Sequence, residues 1–406
     1  MKSCLIGKTL KHSYSKIIHE HFGYEYDLVE LEKEDIKDFV KDEKYNAFNV
    51  TIPYKTEIIK YLNHVSPMAK EIGAVNTVVK KDGLLYGYNT DFYGMRYIVK
   101  HNKIKVKNKT VLVLGTGGTS KTAQVVFKSL GAKKIVVVSR TGEINYQNCY
   151  DVKADIIVNT TPVGMYPNQN QSPIDLDRFK NVKGVIDVIY NPLRTKLIID
   201  AKKRKIKTAT GLGMLVAQAK YAKELFFGRE IKENYFDLEI EKELDIIKAQ
   251  TENIAFIGMP GSGKTTLSKE IAKSLKRELI DTDEEVYKKT GKTPKEIIES
   301  LGEDEFRKIE TEVLNELSLK RGVVISTGGG IVTKKENYFL LKCSSKVILV
   351  KRKLKLLSTE NRPLSSNKTK LKLLYKNRKK LYKKFSDVVV FNNKDIDSSI
   401  KRIKDL

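Results

Sequence analysis

Two glycine-rich turns, each between a predicted buried strand and a predicted helix, constrain this chain more than any other feature. The first reads GTGGTS at 115–120 and follows the apolar run 110–114. The second reads GMPGSGKT at 258–265 and follows the apolar run 254–257. Turns of this kind present backbone N–H groups at the start of a helix, where they bind phosphate. The sequence therefore predicts two α/β regions that each hold a phosphate-bearing ligand.

The length and composition fit a protein with several globular domains. The 406 residues correspond to two to four domains at about 100 to 200 residues each. Hydrophobic residues make up 40% of the chain, and no run approaches the roughly 18 apolar residues of a membrane helix. Cys4, Cys149 and Cys343 lack the paired spacing of zinc sites and disulfide frameworks. With too short an apolar start for a signal peptide, we expect a cytoplasmic protein with reduced cysteines and no membrane partner.

The net charge of +26 raises the possibility of nucleic-acid binding. However, the lysines are spread along the whole chain, and no aromatic-interleaved module or helix-turn-helix pattern accompanies them. We therefore expect no nucleic-acid partner. The positive field would instead help to attract anionic small-molecule substrates.

The order of apolar runs predicts three structural regions. Short alternating strands and helices are expected over 1–102, which contain no nucleotide-binding turn. Apolar β-branched runs separated by helix-length stretches predict a doubly wound parallel sheet over 103–210. Helices in 211–248 are expected to pack back on the first region, and a short linker at 249–252 leads to a second α/β domain at 253–406. The sequence leaves the oligomeric state open between a monomer and a homodimer.

The end of the strand after the first glycine turn indicates which dinucleotide is bound. NAD-selective domains place Asp or Glu there, whereas this chain has Ser139, Arg140 and Thr141. A guanidinium flanked by two hydroxyls suits a 2′-phosphate, so NADP(H) is favoured. The residues predicted to bind the dinucleotide at the turn itself are Gly115, Gly117, Gly118, Thr119 and Ser120.

Several motifs within residues 1–248 together resemble the shikimate dehydrogenase family. They are HSYS at 12–15, NVTIPYK at 49–55, GAVNT at 73–77, NTD at 89–91, NTTPVGM at 159–165, Tyr190, and GLGML at 211–215 followed by Gln218. The resemblance implies a substrate site formed by Ser13, Ser15, Thr51, Lys55, Asn76, Asp91, Tyr190 and Gln218. It also implies cofactor contacts from Thr160, Gly211 and Met214.

The chemistry of that family also fits the residue types. Reduction of a ketone by hydride leaves an alkoxide, and a positioned ammonium such as that of Lys55 can donate the proton while stabilising the charge. A neighbouring carboxylate, Asp91, would hold the ammonium in place. Outside these motifs, a surface lysine and a turn aspartate would be the ordinary interpretation of the same residues.

The second glycine turn fits a nucleoside triphosphate loop at every position. It supplies a backbone cradle, the ammonium of Lys264 for the phosphates, and the hydroxyl of Thr265 for Mg²⁺. GTPases and motor ATPases use similar loops, but the chain has no Asn-Lys-x-Asp base-recognition motif. The carboxylates of Asp281 and Asp283 follow the next strand, one for the metal and one for the acceptor hydroxyl. We predict binding of ATP by Gly261, Ser262, Gly263, Lys264, Thr265 and Thr266, with Mg²⁺ held near Thr265 and Asp281.

Residues 253–406 resemble the shikimate kinase family. The motifs are GEDEFR at 302–307 with Glu310, GGG at 328–330, RPL at 362–364, and Arg378 followed by Tyr382. The resemblance implies a shikimate site formed by Asp283, Arg307, Gly328, Gly329 and Arg378. It also implies that Arg362, in the lid motif, reaches the transferred phosphate and acts with Lys264 and Asp283 in catalysis.

The two resemblances describe consecutive reactions on one small hydroxylated carboxylate. They imply an α/β protein in which a substrate domain and a Rossmann-type NADP domain precede a P-loop small-molecule kinase domain with a parallel sheet. The alternatives are a quinate/shikimate oxidoreductase fused to a P-loop regulatory module or to a kinase of other specificity, and a chain in which one part is inactive.

Overall fold

The structure, a computed structural model, describes residues 2–10, 13–357, 368–393 and 396–404. The chain divides into two compact units, Met1–Ile247 and Lys248–Leu406. In the described residues, the first unit contains two sheets and the second contains one.

The first sheet is mixed and has the strand order β2-β1-β3-β5-β6-β4. Its strands are β1 (Ser3–Gly7), β2 (Tyr26–Glu30), β3 (Ala47–Val50), β4 (His64–Val65), β5 (Thr77–Lys81) and β6 (Leu84–Tyr88), accompanied by helices α1 (Ser15–His21), α2 (Ile36–Phe39), α3 (Pro67–Ile72) and α4 (Thr90–His101) and a 3₁₀ turn at Glu57–Tyr61. Strand β1 runs parallel to both of its neighbours, β2 and β3, and every residue in it is buried. This explains its uninterrupted run of small and apolar residues, because a central parallel strand has no solvent-facing side.

The second sheet is parallel throughout and has the order β11-β10-β9-β7-β8. Its strands are β7 (Thr110–Leu114), β8 (Lys134–Val138), β9 (Ile156–Asn159), β10 (Gly184–Asp187) and β11 (Lys207–Thr210), and the helices of this part are α5 (Gly118–Ser129), α6 (Lys196–Lys203), α7 (Gly211–Phe226) and α8 (Leu238–Thr251), with 3₁₀ turns at Cys149–Asp151 and Leu176–Arg178. The strand order reverses at β7, so a crevice opens at the carboxyl ends of β7 and β9. Doubly wound sheets bind nucleotides at such a point.

Helix α7 connects the second sheet to the first, because it packs against α4 and α1. The crossing of α4 and α7 is close. A Cβ atom on Gly94 of α4 would lie 2.7 Å from the carbonyl oxygen of Met214 on α7, so this contact requires glycine. The crossing fixes the positions of Met214 and Gln218 relative to the start of α4.

The second unit has a parallel sheet with the order β13-β14-β12-β15-β16. Its strands are β12 (Asn253–Ile257), β13 (Leu279–Asp281), β14 (Val324–Ser326), β15 (Ser345–Lys351) and β16 (Val388–Phe391), and its helices are α9 (Lys264–Leu275), α10 (Thr282–Thr290), α11 (Pro294–Leu301), α12 (Glu303–Leu317), α13 (Asn337–Lys342), α14 (Lys368–Phe385) and α15 (Ile396–Lys404), with 3₁₀ turns at Ile331–Thr333 and Leu354–Leu356. The second glycine turn follows β12, the central strand. The predicted α/β class with parallel sheets is confirmed.

The segment 249–252, predicted as a short linker, follows closely after the boundary between the two units. Helix α8 continues to Thr251, and β12 begins at Asn253, so this stretch is helical almost to its end. Helix α8 is anchored in the first unit by Ile240, Leu244 and Ile247, whose side chains are buried there. The helix then continues for four more residues, to Thr251.

Two further findings concern the described chain as a whole. Within the described ranges, none of the helices combines the length and apolar character required to cross a bilayer. Cys4, Cys149 and Cys343 are buried, and no disulfide joins them.

Candidate active sites

A cavity of about 500 Å³ in the first unit brings together the residues predicted to bind the dehydrogenase substrate. It opens beside the carboxyl ends of strands from both sheets. Its lining includes Ser13, Ser15, Thr51, Lys55, Asn76, Asp91, Tyr190 and Gln218, together with Thr119, Thr160, Gly211 and Met214 from the predicted cofactor set.

Lys55 and Asp91 form an ion pair on the wall of this cavity. The Nζ atom of Lys55 lies 2.6 Å from Oδ2 of Asp91, and the two side chains are 19% and 10% exposed. Asp91 lies in the first turn of α4, where the side chain of Asn89 caps the helix by accepting from the N–H of Phe92. The backbone of Lys55 is held because its carbonyl accepts from the N–H of Val75 at 2.8 Å. The ammonium is therefore fixed in direction before any ligand enters.

A network of amide side chains lies beside this pair. Asn76 Oδ1 accepts from the backbone N–H of Thr90 at 2.7 Å, and its Nδ2 lies 3.5 Å from Oε1 of Gln218. The Nε2 atom of Gln218 donates to the carbonyl of Leu215 at 3.0 Å. Because Asn76 precedes β5 and Gln218 belongs to α7, the network ties the first sheet to α7 at the cavity.

The serine pair and Tyr190 form another part of the lining. The N–H of Ser15 donates to Oγ of Ser13 at 3.2 Å, and the rings of Tyr14 and Tyr190 lie 5.3 Å apart. Burial raises the pKa of Tyr190 to about 12, so its phenol stays neutral and can donate a hydrogen bond.

The first glycine turn has the geometry of a phosphate-binding helix start. Gly117 is the N-cap residue of α5 and has no side chain to cap the first N–H groups. A Cβ atom on Gly117 or Gly118 would meet no other atom within 4 Å, so the space beside this helix end is open. Gly115 has a φ of +105°, which glycine adopts without strain. Uncapped N–H groups facing open space fit the pyrophosphate of a dinucleotide.

The remaining predicted cofactor residues lie outside the cavity lining. Arg140 and Thr141 are exposed after β8, and Ser139 accepts from the N–H of Gly142 at 2.6 Å. Ser120 differs from the other residues of the turn in its burial. It is fully buried, its N–H donates to the carbonyl of Gly117 at 3.0 Å, and its Oγ accepts from Gln124 Nε2 at 3.4 Å. Its side chain therefore supports the turn from inside and does not face a ligand.

Asp187, at the end of β10, is buried directly before the cavity-lining residues Val188 and Ile189, and the sequence motifs did not indicate it. Its Oδ1 accepts from Asn159 Nδ2 and from the N–H of Ile189, both at 3.1 Å, and its Oδ2 accepts from the hydroxyl of Thr195 at 2.7 Å. Asn159 in turn accepts from the hydroxyl of Thr161 at 2.7 Å. Burial raises the pKa of Asp187 to about 7. One carboxylate thus joins the loops after β9 and β10, both of which line the cavity; the sequence signal was a polar residue closing a buried apolar strand.

A second cavity, of about 650 Å³, lies in the second unit and contains most of the residues predicted for the kinase. The lining includes Gly261, Gly263, Lys264, Thr265, Thr266, Asp281, Asp283, Arg307, Gly328, Gly329 and Arg378. Ser262 is buried beneath the turn. Arg362 lies outside the described residues. Arg352, which was not predicted, also lines this cavity.

The second glycine turn has the backbone of a triphosphate loop. Gly258, Gly261 and Gly263 have φ values of +149°, +78° and +94°. Helix α9 begins directly after Gly263 without a side-chain cap. The Oγ atom of Ser262 is buried and has no hydrogen-bond partner in the described part of the chain, and Lys264 Nζ donates to the carbonyl of Gly258 at 3.1 Å. Uncapped N–H groups and a lysine folded over the turn fit the phosphates of ATP.

Thr265 and Asp281 both line the cavity close to this turn. The Oγ1 atom of Thr265 lies 3.3 Å from Oγ of Ser326, and Asp281 caps α10 by accepting from the N–H of Asp283 at 2.9 Å. Among the described residues, no group of three or more His, Cys, Asp or Glu side chains is placed to hold a metal ion. Mg²⁺ at a triphosphate loop takes a hydroxyl, phosphate oxygens and waters, with few carboxylates. One hydroxyl and one carboxylate therefore fit an ion that binds together with the nucleotide.

Two arginines that line this cavity, Arg307 and Arg378, both approach Glu303. Arg307 donates to Glu310 Oε2 at 2.7 Å and to Glu303 Oε1 at 2.9 Å. Arg378 lies 3.5 Å from the same Glu303 oxygen and donates to the carbonyl of Gly329 at 3.1 Å. Burial raises the pKa of Glu310, against the lowering effect of Arg307. Glu303 and Glu310, both part of the predicted motif, lie four and three residues from Arg307 on α12, so the three side chains share one face of the helix.

The glycine turn at 328–330 packs tightly against these groups. The N–H of Gly328 donates to Oγ1 of Thr282 at 2.9 Å, and the hydroxyl of Tyr382 donates to the carbonyl of Gly329. A Cβ atom on Gly330 would lie 2.0 Å from Nη2 of Arg307. The turn therefore holds the guanidinium in place and leaves room for it only because it lacks side chains.

The two folds and their sites define a dinucleotide-dependent dehydrogenase and a P-loop kinase in one chain. A family model described as shikimate dehydrogenase substrate binding domain matches residues 5–78, and one described as shikimate kinase matches residues 260–405. The NADP(+)-type shikimate dehydrogenase of Clostridium beijerinckii is 39% identical over 243 residues, which cover 55% of this chain and 90% of that protein. The chain belongs to the shikimate dehydrogenase family, carries a shikimate kinase domain at its C-terminal end, and is thus a bifunctional oxidoreductase and kinase.

Solved structures give the same assignment for the first unit. Shikimate dehydrogenase 1 from Peptoclostridium difficile matches with a TM-score of 0.56 and 36% identity, over 61% of this chain and 97% of that one. The Thermus thermophilus enzyme in complex with NADP(H) and shikimate matches with a TM-score of 0.54 and 28% identity, over 61% of this chain and 99% of that one.

Proposed function

We propose that the first unit reduces 3-dehydroshikimate to shikimate with NADPH and that the second transfers the γ-phosphoryl group of ATP to the 3-hydroxyl of shikimate. The chain is a bifunctional enzyme of the shikimate pathway, and its cofactors are NADP(H) and ATP, the latter with Mg²⁺. One observation carries the detailed assignment: each nucleotide turn belongs to a unit whose cavity presents charged groups suited to a small hydroxylated carboxylate.

In the first unit, Lys55 is the proton donor. Bound NADPH supplies the hydride. As negative charge develops on the ketone oxygen, the Lys55 ammonium stabilises it and transfers a proton to it. Asp91 holds the ammonium in direction. The amides of Asn76 and Gln218, already fixed by their network, bind ring hydroxyls and orient the substrate.

Hydroxyl groups bind the carboxylate of the substrate, and a guanidinium binds the cofactor. The hydroxyls of Ser13 and Ser15, with Thr51 nearby, bind the carboxylate. Arg140, exposed at the end of β8, binds the 2′-phosphate of NADP, since a guanidinium pairs with phosphate in a bidentate manner. Its exposure leaves it free to meet a ligand that arrives from solvent.

In the second unit, bound MgATP supplies the phosphoryl group. Lys264 binds the phosphates, and Thr265 with Asp281 holds the metal. Asp283 accepts the proton of the acceptor hydroxyl or orients it. Arg307 and Arg378 pair with the shikimate carboxylate and fix the orientation of the substrate. We also propose that Arg362 binds the transferred phosphate.

A coupled assay tests the function directly. The full chain is supplied with 3-dehydroshikimate, NADPH, ATP and Mg²⁺, and shikimate 3-phosphate is measured. We expect Lys55→Ala to abolish NADPH oxidation and leave phosphorylation of added shikimate intact, and Lys264→Ala to do the reverse. Loss of both activities in either folded variant would contradict separate sites. Faster turnover of quinate with NAD than of 3-dehydroshikimate with NADPH would favour the quinate alternative.

The cellular setting is also a proposal. We propose a cytoplasmic enzyme, monomeric or homodimeric, without a nucleic-acid partner and with the domain division 1–102, 103–210 and 253–406. Three buried cysteines that form no disulfide with one another support a reducing compartment. Light scattering of the purified chain gives the oligomeric state, and unchanged kinase rates in the presence of DNA would support the lack of a nucleic-acid partner.

A further inference from the structure

Arg352 lies beside the triphosphate loop for a topological reason. It directly follows β15, which pairs in parallel with β12, the strand that leads into the loop. The carboxyl ends of parallel neighbours meet at the same edge of a sheet. The approach is close, because a Cβ atom on Gly258 would lie 2.5 Å from the carbonyl oxygen of Val350. The backbone around Arg352 is thus packed against the phosphate-binding turn.

Asn392 fixes this arrangement from the other side. Its N–H donates to the carbonyl of Lys351 at 2.8 Å, and its side-chain amide donates to the carbonyl of Ser262 at 2.9 Å. One buried residue therefore links the residue before Arg352 to the loop itself. The backbone next to Arg352 and the phosphate-binding turn are thus held by the backbone and side chain of the same residue, Asn392.

The side chain of Arg352 differs from the other arginines of the cavity. Arg307 and Arg378 both interact with Glu303. Arg352 also lines the cavity, but its Nε atom is buried and has no hydrogen-bond partner in the described ranges. No carboxylate of the described residues lies within ion-pair distance of it. A buried guanidinium atom without a partner costs free energy, which an anionic ligand would recover.

We propose that Arg352 binds phosphate oxygens of the nucleoside triphosphate in the kinase cavity. It is a second cationic contact, in addition to Lys264 and supplied by the end of β15. Lysine acts on phosphate as a point charge, whereas a guanidinium offers two parallel N–H donors and so fixes orientation as well. The inference rests on the proposed kinase function and assigns Arg352 to the nucleotide and not to the acceptor carboxylate.

The test compares two substitutions at this position in the full chain. Arg352→Met keeps most of the side-chain length but removes the charge and the donors, whereas Arg352→Lys keeps a charge and N–H donors but not the planar guanidinium with its paired donors. Kinase rates are measured over a range of ATP at saturating shikimate, and the reverse. We expect the KM for ATP to rise about tenfold in the Met variant and less in the Lys variant, with the KM for shikimate within about twofold of the wild type.

Lys351→Met is the matched control. Lys351 is the preceding residue, is exposed, and has its Nζ 5.3 Å from the ring centre of Phe391, so its charge lies outside the cavity. We expect the KM for ATP to be unchanged in this variant. The thermal transition of the second unit, identified by its shift on addition of ADP or shikimate, shows whether that unit is folded, and titration with a non-hydrolysable ATP analogue in the absence of shikimate measures nucleotide binding alone.

The outcomes separate this inference from the proposed function. An unchanged KM for ATP and unchanged analogue binding in Arg352→Met would overturn it, and so would an increase confined to the KM for shikimate, which would place Arg352 at the acceptor. A wild-type chain that binds the analogue but does not phosphorylate shikimate would contradict the proposed function, and the titration would still decide the role of Arg352. If the Met variant does not fold, the Lys variant decides: a rise of about twofold or more in its KM for ATP supports the inference, and a KM for ATP and analogue binding equal to those of the wild type would overturn it.

Discussion

Lys55 Nζ and Asp91 Oδ2 lie 2.6 Å apart although the residues are separated by 36 positions in the chain. If the pair acts as one unit, removing either member should remove most of what the other contributes. We expect Lys55→Gln to lower the dehydrogenase kcat by about 10²- to 10⁴-fold, Asp91→Asn to lower it less, and the double variant to match Lys55→Gln. Losses that multiply in the double variant would indicate independent roles. The kinase rate of each preparation is the internal control.

The buried carboxylate of Asp187 should make the stability of the first unit depend on pH. Burial raises its pKa to about 7, whereas an unfolded chain has an Asp pKa of about 3.9. Between these values the folded state holds a proton that the unfolded state has lost. The contribution of Asp187 to the free energy of unfolding therefore falls as the pH rises from about 4 to 7, by at most about 4 kcal/mol.

Asp187→Asn removes this titration and can keep the hydrogen bonds to Asn159 and Ile189. We expect the midpoint temperature of unfolding of the variant, relative to that of the wild type, to increase as the pH rises from 5 to 8. The transition of the first unit is identified by its shift on addition of NADP⁺. Asp177→Asn, at a side chain that is 88% exposed, is the control and should follow the wild type. A constant difference between Asp187→Asn and the wild type would mean that Asp187 does not titrate in this range.

Arg307 should not tolerate replacement by lysine. Its guanidinium contacts both Glu310 and Glu303 and still faces the cavity, which one ammonium cannot reproduce. We expect Arg307→Lys to raise the KM for shikimate more than tenfold and to change the KM for ATP little. Lys308→Met, at the exposed neighbour that pairs with Glu305, should leave both values unchanged. An equal rise in both KM values would point to a general distortion of α12.

Gly263→Ala should impair the kinase more than strain alone explains. Gly263 has a φ of +94°, and a Cβ atom there would lie 2.3 Å from Nδ2 of Asn392. Gly291 also has a positive φ, +69°, but a Cβ atom would meet nothing within 4 Å. Gly291→Ala therefore carries only the backbone cost of about 1 to 2 kcal/mol. We expect at least tenfold lower kinase activity in Gly263→Ala, near-normal activity in Gly291→Ala, and normal dehydrogenase rates in both. Equal losses would show that crowding by Asn392 is unimportant.

Much of the fold followed from local patterns. The apolar run before each glycine turn became β7 and β12, and the helices after them begin at Gly118 and Lys264. These features depend on residues that are neighbours in sequence, so periodicity and turn chemistry suffice. The end of α8 was missed because no helix-stopping residue marks it: the helix runs to Thr251, through most of the expected linker.

The sequence predicted the location of some site residues better than that of others. The substrate set from Ser13 to Gln218 lines one cavity, as expected for residues carried by specific motifs. Ser120 could not be placed, because its position in the turn does not reveal whether its side chain points outward or into the sheet. The carboxylate of Asp187 and the guanidinium of Arg352 had no motif to indicate them.

The sequence by itself determined the two α/β regions, the two phosphate-binding turns and the residue types that each chemistry needs, since these are properties of short segments. Only the tertiary structure decided which charges have partners. Glu303 serves both Arg307 and Arg378, Asp187 joins two loops, and the buried Nε atom of Arg352 has no partner in the described residues. The physical reason is that burial and hydrogen bonding depend on distances between segments remote in the chain, which are fixed only when sheets and helices pack.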